Sequence, residues 1–382
     1  MKAVIHAQVW TVSHGVVDDG TVVFKEGKIL SVEAGGAVPQ GASVVNGYGK
    51  IVTPGFIDAH VHIGICEEGI PGAMNAVNED TSPITPDVRA LDGINPADEG
   101  FQKALSAGVT CMQILPGSAN IIGGIGTIVK PVGNVIDRMI LRAHSGMKAA
   151  LGENPITWQG GKGRFPSTRM GNAACMRKAL QDARDYRAKK EEAEKKGEYF
   201  ALNQGMEHFL PVLDKTVPMR IHSHRADDIC TAIRICEEFD VRYTLEHCTE
   251  GQFIVDYLAD RKVHAAVGPT ATSKTKVEVK NKGWETLIAL HNAGISFCII
   301  TDHPVIPIEN LPVAAALAIR AGLPHQAALE ALTINAARHL EVEERMGSIE
   351  PGKDADLVIW PGDPFDIRNA PEQVFVDGQP QL

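Results

Sequence analysis

The sequence lacks the features that mark several classes of protein. No apolar run in its 382 residues approaches the ~20 residues that span a bilayer, so we expect no membrane helix. The formal charge is −10, from 47 acidic and 37 basic residues, and no basic block is present. This balance argues against nucleic acid as the main partner. Residues 1–10 alternate like a strand and carry no apolar leader, which predicts a cytoplasmic protein without a signal peptide.

Cysteine pairs of the CxxC type are also missing. The seven cysteines are scattered singly, and an odd number in an acidic, leaderless chain indicates reduced thiols rather than a disulfide framework. Residues 117–126 are rich in glycine but do not form the GxGxxG motif of dinucleotide sites. We interpret them as a loop, either an ordinary one or one that covers a substrate. Histidine, by contrast, is abundant, and its fourteen copies are candidate metal ligands and proton carriers.

The hydrophobic pattern divides the chain into β-rich ends and a mixed middle. Short strand-like segments joined by glycine turns occupy residues 1–54 and return in the last forty residues. Each end is too small to bury a core alone, so we expect the two ends to combine.

The middle of the chain alternates short apolar runs with amphipathic helical stretches. Repeated βα units over roughly 280 residues favour parallel strands and fit a (β/α)8 barrel, with a doubly wound open sheet as the alternative. The charged run at 189–198 indicates a solvated helix end within an insertion. Strands are predicted at 57–63, 110–115, 147–151, 219–223, 242–246, 263–267 and 295–301, and helices at 95–107, 226–239, 252–261, 284–293 and 324–336.

Histidine pairs stand at two of the predicted strands. His60 and His62 are two residues apart on the first strand, so both rings face the same side. His222 and His224 repeat this spacing at the end of another strand. Barrel enzymes place their catalytic groups at the carboxyl ends of the strands.

Two further strand ends add a histidine and an aspartate. His247 closes the strand at 242–246, and Asp302 follows a run of buried aliphatic residues, where a carboxylate is costly unless it is paired or bound to a metal. The strands of one barrel direct these ends to one rim, so together they predict a metal site. Nitrogen and carboxylate donors without thiolate suit zinc, manganese, iron or nickel. The predicted chemistry is hydrolysis by metal-activated water, with an aspartate moving the proton.

Two motifs resemble those of the amidohydrolase superfamily. Residues 54–62 (PGFIDAHVH) are similar to its first-strand motif, and residues 332–338 (LTINAAR) with 347–357 (GSIEPGKDADL) are similar to its C-terminal signature. The resemblance covers essentially the whole chain, with the motifs in the expected order. It implies an α/β fold, a distorted (β/α)8 TIM barrel at 55–344. A small β-sandwich domain built from both termini, 1–54 plus 345–382, would flank the barrel.

Carried over by position, the resemblance also implies a ligand set. His60 and His62 would bind the more buried metal, and His222 and His247 would bind a second or the sole metal. Asp302 would be both a metal ligand and the general base. The cofactor is then one or two divalent ions per chain, with zinc favoured and manganese, iron or nickel as alternatives.

Two ligand positions stay open between neighbouring residues. His222 matches the fifth-strand ligand more naturally than His224, which leaves His224 as a substrate-binding pocket residue or an alternative ligand. Many binuclear relatives use a carboxylated lysine on the fourth strand. Here Glu153 stands at the end of the run and is favoured as the ligand, while Lys148 lies earlier and deeper. Glu153 capping a loop is the remaining interpretation.

The predicted reaction is hydrolysis of a C–N bond, as in the imidazolonepropionase-like amidohydrolases. Arg225 stands where many deaminases carry glutamate in a His-x-x-Glu pattern, and its guanidinium could bind a substrate carboxylate. This favours an N-acyl amino acid, a dipeptide or an imidazolone-type ring, although a surface salt bridge is the alternative for Arg225. His264 is a substrate contact or a core histidine, and His303 is a pocket residue or a brace for Asp302.

Other functions on the same site stay open. They are a deaminase, a lactonase and a phosphotriesterase-type hydrolase. A non-catalytic scaffold like some relatives of dihydropyrimidinase is disfavoured, because the ligand positions are retained. The expected partners are a small-molecule substrate and further copies of the chain in a homo-oligomer, without nucleic acid or membrane.

Overall fold

The computed structural model describes residues 1–69 and 76–382. Its strands in chain order are β1 (Lys2–Trp10), β2 (Val16–Lys25), β3 (Lys28–Ala34), β4 (Ser43–Asn46), β5 (Ile51–Pro54), β6 (Phe56–Val61), β7 (Val109–Ile114), β8 (Ile122–Val129), β9 (Ile140–Ala150), β10 (Met219–Ser223), β11 (Tyr243–His247), β12 (His264–Val267), β13 (Ser296–Ile299), β14 (Leu357–Trp360), β15 (Gln373–Val376) and β16 (Gln379–Pro380).

The helices follow most of the barrel strands. They are α1 (Glu99–Ser106), α2 (Glu153–Gly160), α3 (Arg169–Lys196), α4 (Gln204–Leu213), α5 (Ala226–Glu238), α6 (Val255–Ala259), α7 (Glu285–Asn292), α8 (Leu311–Arg320), α9 (His325–Leu332) and α10 (Ile334–Leu340). Among the described residues, no helix is both long enough and apolar enough to cross a membrane. Helix α3 carries the predicted charged run and ends at Gly197, whose left-handed backbone (φ 67°) suits glycine.

The middle of the chain forms a nearly closed barrel of eight strands, β6 to β13, in which sequential strands are neighbours. This order confirms the predicted barrel over the doubly wound sheet, whose strand order reverses part-way. Strands β9 to β13 and the pair β6–β7 are parallel, so their carboxyl ends meet at one rim.

Strand β8 departs from the predicted pattern. It pairs antiparallel with both β7 and β9 and is buried along its whole length. The interpretation of 117–126 as a loop was therefore wrong from Ile122 onward. Glycines at this strand allow close approach of backbone, because a Cβ on Gly124 would lie 2.3 Å from the carbonyl oxygen of Val88.

Backbone and side-chain bonds draw the first and last barrel strands together. The amide of Asp302 donates to the carbonyl of His60 (3.1 Å), and the amide of His62 donates to the carbonyl of His303 (2.9 Å). The buried carboxylate of Asp58 accepts from the hydroxyl of Thr301 at 2.5 Å. These bonds hold His60 of β6, and His62 directly after β6, beside Asp302.

Strands from both ends of the chain share a second sheet, in the order β16-β15-β14-β5-β1-β2-β3 with β4 beside β1. Alternating apolar residues of these strands, among them Phe24 and Phe375, form a separate core. The two ends therefore combine in one sheet. The β-sandwich and the domain limits at 1–54, 345–382 and 55–344 stay predictions.

Candidate metal centre

The carboxyl ends of the barrel strands surround a cavity of about 320 Å³. Strands β6, β10 and β11, together with the segment after β13, each direct imidazole or carboxylate groups into it. The candidate ligands that line the cavity are His60, His62, His222, His224, His247 and Asp302.

One group of donors joins β6 to the segment after β13. The donor atoms of His60, His62 and Asp302 all lie within 4.8 Å of one another. Nε2 of His62 is 3.2 Å from Oδ1 of Asp302, and Nε2 of His60 is 3.5 Å from the same oxygen. Two imidazole nitrogens therefore converge on one carboxylate.

A second group joins β10 to β11. His222, His224 and His247 also have donor atoms within 4.8 Å of one another, and all three side chains are buried. The choice between His222 and His224 does not arise in this geometry, because both rings face His247. The ring centroids of His222 and His224 lie 4.4 Å and 4.9 Å, respectively, from that of His247.

The outer nitrogens of the rings are held by oxygen atoms of the protein. Nδ1 of His62 is 2.7 Å from the carbonyl oxygen of Leu115, and Nδ1 of His247 is 2.8 Å from that of Gly268. A carbonyl only accepts, so Nδ1 carries the proton in both rings and Nε2 is left with a lone pair. This is the usual arrangement of metal-binding histidine.

A buried carboxylate orients His60 in the same way. Oε2 of Glu246 is 2.9 Å from Nδ1 of His60, and Oε1 is 3.0 Å from Nε2 of His339. The hydroxyl of Thr244 also donates to Oε1 at 2.9 Å. The carboxylate of Glu246 is thus well satisfied, and these partners hold its pKa well below the ordinary value despite burial.

The pKa of four cavity histidines, His60, His222, His224 and His247, is lowered, which favours their neutral form at pH 7. Burial lowers the pKa of His60 to about 3, and the charge of Lys148 adds to this effect. Burial and the neighbouring His247 hold the pKa of both His222 and His224 well below the ordinary value. Neutral imidazole is the form that binds metals.

The pKa of Asp302 is lowered too, and for a carboxyl group this favours the charged form. Burial alone would raise its pKa, but His247, His62 and His60 lower it below the ordinary value. The backbone of Asp302 also lies in the left-handed region (φ 54°), as does that of His247 (φ 71°). Such backbone costs of order 1 kcal/mol or more in a residue with a side chain and is common at functional sites.

The structure separates the two fourth-strand candidates. Nζ of Lys148, on β9, is 3.1 Å from Nε2 of His60 and donates to the carbonyl of Pro116 at 2.9 Å. Burial lowers the pKa of Lys148 to about 8. Glu153 instead begins α2, and its carboxylate accepts the amide of Glu278 at 3.3 Å. Lys148 lines the cavity, whereas Glu153 is not among the described residues of its lining.

Three residues predicted to bind substrate lie elsewhere. Arg225 pairs with Asp227 through two contacts of 2.9 Å at the start of α5, because the two side chains are neighbours on the surface. His264 begins β12 and lines a different cavity, at the amino ends of the strands. His303 is fully buried, and its Nδ1 accepts the amide of Ile308, which suits the alternative role as a brace.

Sequence reasoning named one of the cavity lysines and missed others. Lys148, the less favoured fourth-strand candidate of the sequence, is flanked by apolar residues within a buried strand and lines the cavity. Asn154, Lys276 and Lys282 also line the cavity. The two lysines belong to a lysine-rich segment whose sequence is typical of a solvent-exposed surface, so only the fold shows that they line the cavity.

A comparison with protein-family models agrees with this geometry. The model described as the amidohydrolase family matches residues 176–381, which is more than half of the chain. The chain belongs to the amidohydrolase family. Members of this family are generally metal-dependent, and the two histidine-rich groups described above could bind a metal.

The relatives of this amidohydrolase support hydrolase activity, but they do not show which substrate this chain acts on. The chain is 28% identical to amidohydrolase tasK of Hapsidospora irregularis over 98% of its own length, but it spans only 40% of that protein. It is 24% identical to imidazolonepropionase of Maricaulis maris, covering 91% of this chain and 88% of the relative. An amidohydrolase structure from Thermotoga maritima has a TM-score of 0.98 at 42% identity, with both chains fully covered.

Proposed function

We propose that this amidohydrolase is a metal-dependent enzyme that hydrolyses a C–N bond, either an amide or a cyclic amide, in a small substrate that carries a carboxylate. One observation carries the proposal: four separate strand ends place five histidines and one ionised aspartate around a single cavity. Burying so many polar rings without a ligand would cost free energy.

The donor set fits one or two divalent ions. His60, His62 and Asp302 would hold one ion, and His222, His224 and His247 would hold a second. Nitrogen donors with one carboxylate suit zinc best, with manganese, iron or nickel as alternatives. A bound ion would supply Lewis acidity toward the scissile carbonyl and an activated water.

Lys148 is our candidate for the fourth-strand position in place of Glu153. Its amine lies against Nε2 of His60, and a pKa near 8 leaves part of the population uncharged at neutral pH. An uncharged amine is the form that can be carboxylated, as in many binuclear relatives. Glu153 would then have the structural role of anchoring α2 to Glu278.

Asp302 is our candidate for the proton carrier. Its carboxylate is ionised at neutral pH and accepts protons at Oδ1, which faces the Nε2 atoms of His60 and His62. We infer that it takes a proton from the attacking water and gives it to the departing nitrogen. The C–N bond breaks as the C–O bond forms, so a carboxylic acid and an amine are released.

The cavity sets the size and polarity of the substrate. Its volume of about 320 Å³ is at the lower end of the range for ligand sites, which suits an N-acyl amino acid, a dipeptide or an imidazolone-type ring. Val279, Pro304 and Val305 are apolar residues of the lining and would contact an apolar group.

The proposal is tested by a substrate screen with the metal-loaded protein. The panel contains N-acyl amino acids, dipeptides, cyclic ureides and, as competing classes, lactones, phosphotriesters and aminopurines. We expect turnover of at least one amide or cyclic amide that disappears with a chelator and returns with added zinc. Turnover confined to a lactone, phosphotriester or amine substrate would contradict the C–N assignment.

A further inference from the structure

Most of the charged side chains that line the active cavity are positive. Lys276 and Lys282, in the segment between β12 and α7, line the cavity together with Lys148. Asp302 is the single carboxylate among the described residues of the lining. Three lysines therefore face one carboxylate before any metal ion is counted, and the cavity favours an anion.

Lys276 is held in place by fixed partners. Its Nζ is 2.6 Å from Oε1 of Glu278 and donates to Oδ1 of Asn154 at 2.7 Å. The Glu278 side chain is fully buried, and its other oxygen accepts the amide of Glu153 at 2.7 Å. The charge of Lys276 is therefore largely balanced, and its position is set by α2.

The charge of Lys282 is not balanced in this way. Its Nζ donates to the carbonyl of Ser273 at 3.0 Å and to the hydroxyl of Thr272, which are both neutral. Across residues 1–69 and 76–382, no carboxylate lies within ion-pair distance of this amine. Burial, Lys274 and Lys276 lower the pKa of Lys282, as expected for a cation that lacks a counter-ion.

The two lysines line the same cavity as the second histidine group, His222, His224 and His247. Lys282 also borders a small side cavity together with His247. An anionic group held by Lys282 would therefore lie within one small molecule of the candidate metal ligands.

We propose that Lys282, positioned next to Lys276, binds the free carboxylate of the substrate and selects acids over neutral amides. The inference rests on the proposed function and assigns to Lys282 the role that the sequence suggested for Arg225. The substrate class is an N-acyl amino acid, whose apolar side chain would contact apolar residues of the lining such as Val279, Pro304 and Val305. A lysine amine pairs with a carboxylate as a compact point charge.

The test compares two probes that differ only in the carboxylate, N-acetyl-L-leucine and N-acetyl-L-leucinamide. Acetate release gives kcat and KM, and calorimetric titration of the metal-loaded protein gives Kd. We expect the wild type to prefer the acid at least about tenfold, the loss typical of one charge-assisted hydrogen bond. Lys282→Met should raise KM and Kd for the acid by a similar factor while kcat and the amide values stay within twofold.

Two further variants guard against indirect effects. Lys282→Arg keeps the charge and should retain most of the acid preference, which a folding defect would not restore. Lys280→Met removes an exposed charge from the same segment, outside the described lining, and should behave as the wild type. Thermal melting of each variant checks that the fold is intact.

The outcomes separate this inference from the proposed function. Equal hydrolysis of acid and amide would overturn the role of Lys282 and leave the amidohydrolase activity standing. If neither probe is hydrolysed, the Kd of the acid still tests the role of Lys282. Acid bound by the wild type and lost in Lys282→Met supports the lysine site whichever bond is cleaved, whereas no binding of the acid, or equal binding to both proteins, contradicts it.

Discussion

Nδ1 of His60 lies 2.9 Å from Oε2 of Glu246, and both side chains are entirely buried. The carboxylate fixes the proton of the ring on Nδ1 and turns Nε2 toward Asp302, so a residue outside the cavity sets the orientation of a candidate metal ligand.

Glu246→Gln tests this relationship. The glutamine side chain has one oxygen, which is a weaker acceptor than a carboxylate oxygen, and an NH2 group, which cannot accept a hydrogen bond from either imidazole. The orientation of His60 is then less well fixed, so we expect the metal affinity to fall about 10- to 100-fold. Competitive titration with a chromogenic chelator measures the change. Glu344→Gln, on an exposed segment, is the matched control. Unchanged affinity in Glu246→Gln would show that the contact has no role in metal binding.

Asp302→Asn removes the proposed proton carrier while keeping the size of the side chain. We expect kcat to fall by a factor of about 10² to 10⁴, because the amide cannot take the proton of the attacking water. Circular dichroism should show an unchanged fold. A variant that folds and retains the wild-type kcat would exclude Asp302 as the base.

Lys148→Met and Glu153→Gln distinguish the two fourth-strand candidates. Lys148 contacts His60 inside the cavity, so its loss should reduce both metal content and turnover. Glu153 contacts Glu278 outside it, so Glu153→Gln should leave metal stoichiometry and kcat close to the wild type. Elemental analysis and steady-state kinetics give the answer, and the reverse pattern would restore Glu153 as the ligand.

The stability of the metal-free protein should fall in mild acid. Burial lowers the pKa of His60 to about 3 and of His144 to about 4, from the ordinary 6.5. Between these values and 6.5 the unfolded chain binds protons that the folded chain does not, so the free energy of unfolding falls as pH falls through this window.

Buried acids oppose this trend, but they are fewer. Burial raises the pKa of Asp58 to about 7 and that of Asp228 and Asp356 to about 6, so these three side chains take up protons in the folded state. The pKa is also lowered by burial at further histidines, namely His222, His224, His247, His264, His303 and His339. Melting curves of the metal-free protein at pH 7 and pH 5 check the sign, and a higher melting temperature at pH 5 would contradict it.

Much of this architecture was predictable from local pattern. Strand β10 has the predicted bounds 219–223, and β11 differs from its prediction by one residue at each end. Histidines two residues apart at the ends of β6 and β10 indicate a shared face, because strand geometry fixes the direction of alternate side chains. The rim that collects them follows from the parallel order of the strands.

The remaining features depend on distant contacts. Strand β8 is rich in glycine, and its strand conformation is fixed by β7 and β9 rather than by its own sequence. Arg225 follows β10 and Lys282 lies in the segment between β12 and α7, and the sequence cannot tell which of these cations faces the cavity. The fold decides, because Asp227 neutralises Arg225 at the surface while Lys282 has neutral partners inside.

Metal content measured together with activity tests the central claim most directly. Protein purified without chelators should contain one or two equivalents of a divalent transition metal by elemental analysis. Chelation should abolish amide hydrolysis, and zinc or another ion of the same series should restore it. Protein that holds no metal, and hydrolyses amides equally well with a chelator present and with metal added, would contradict the account.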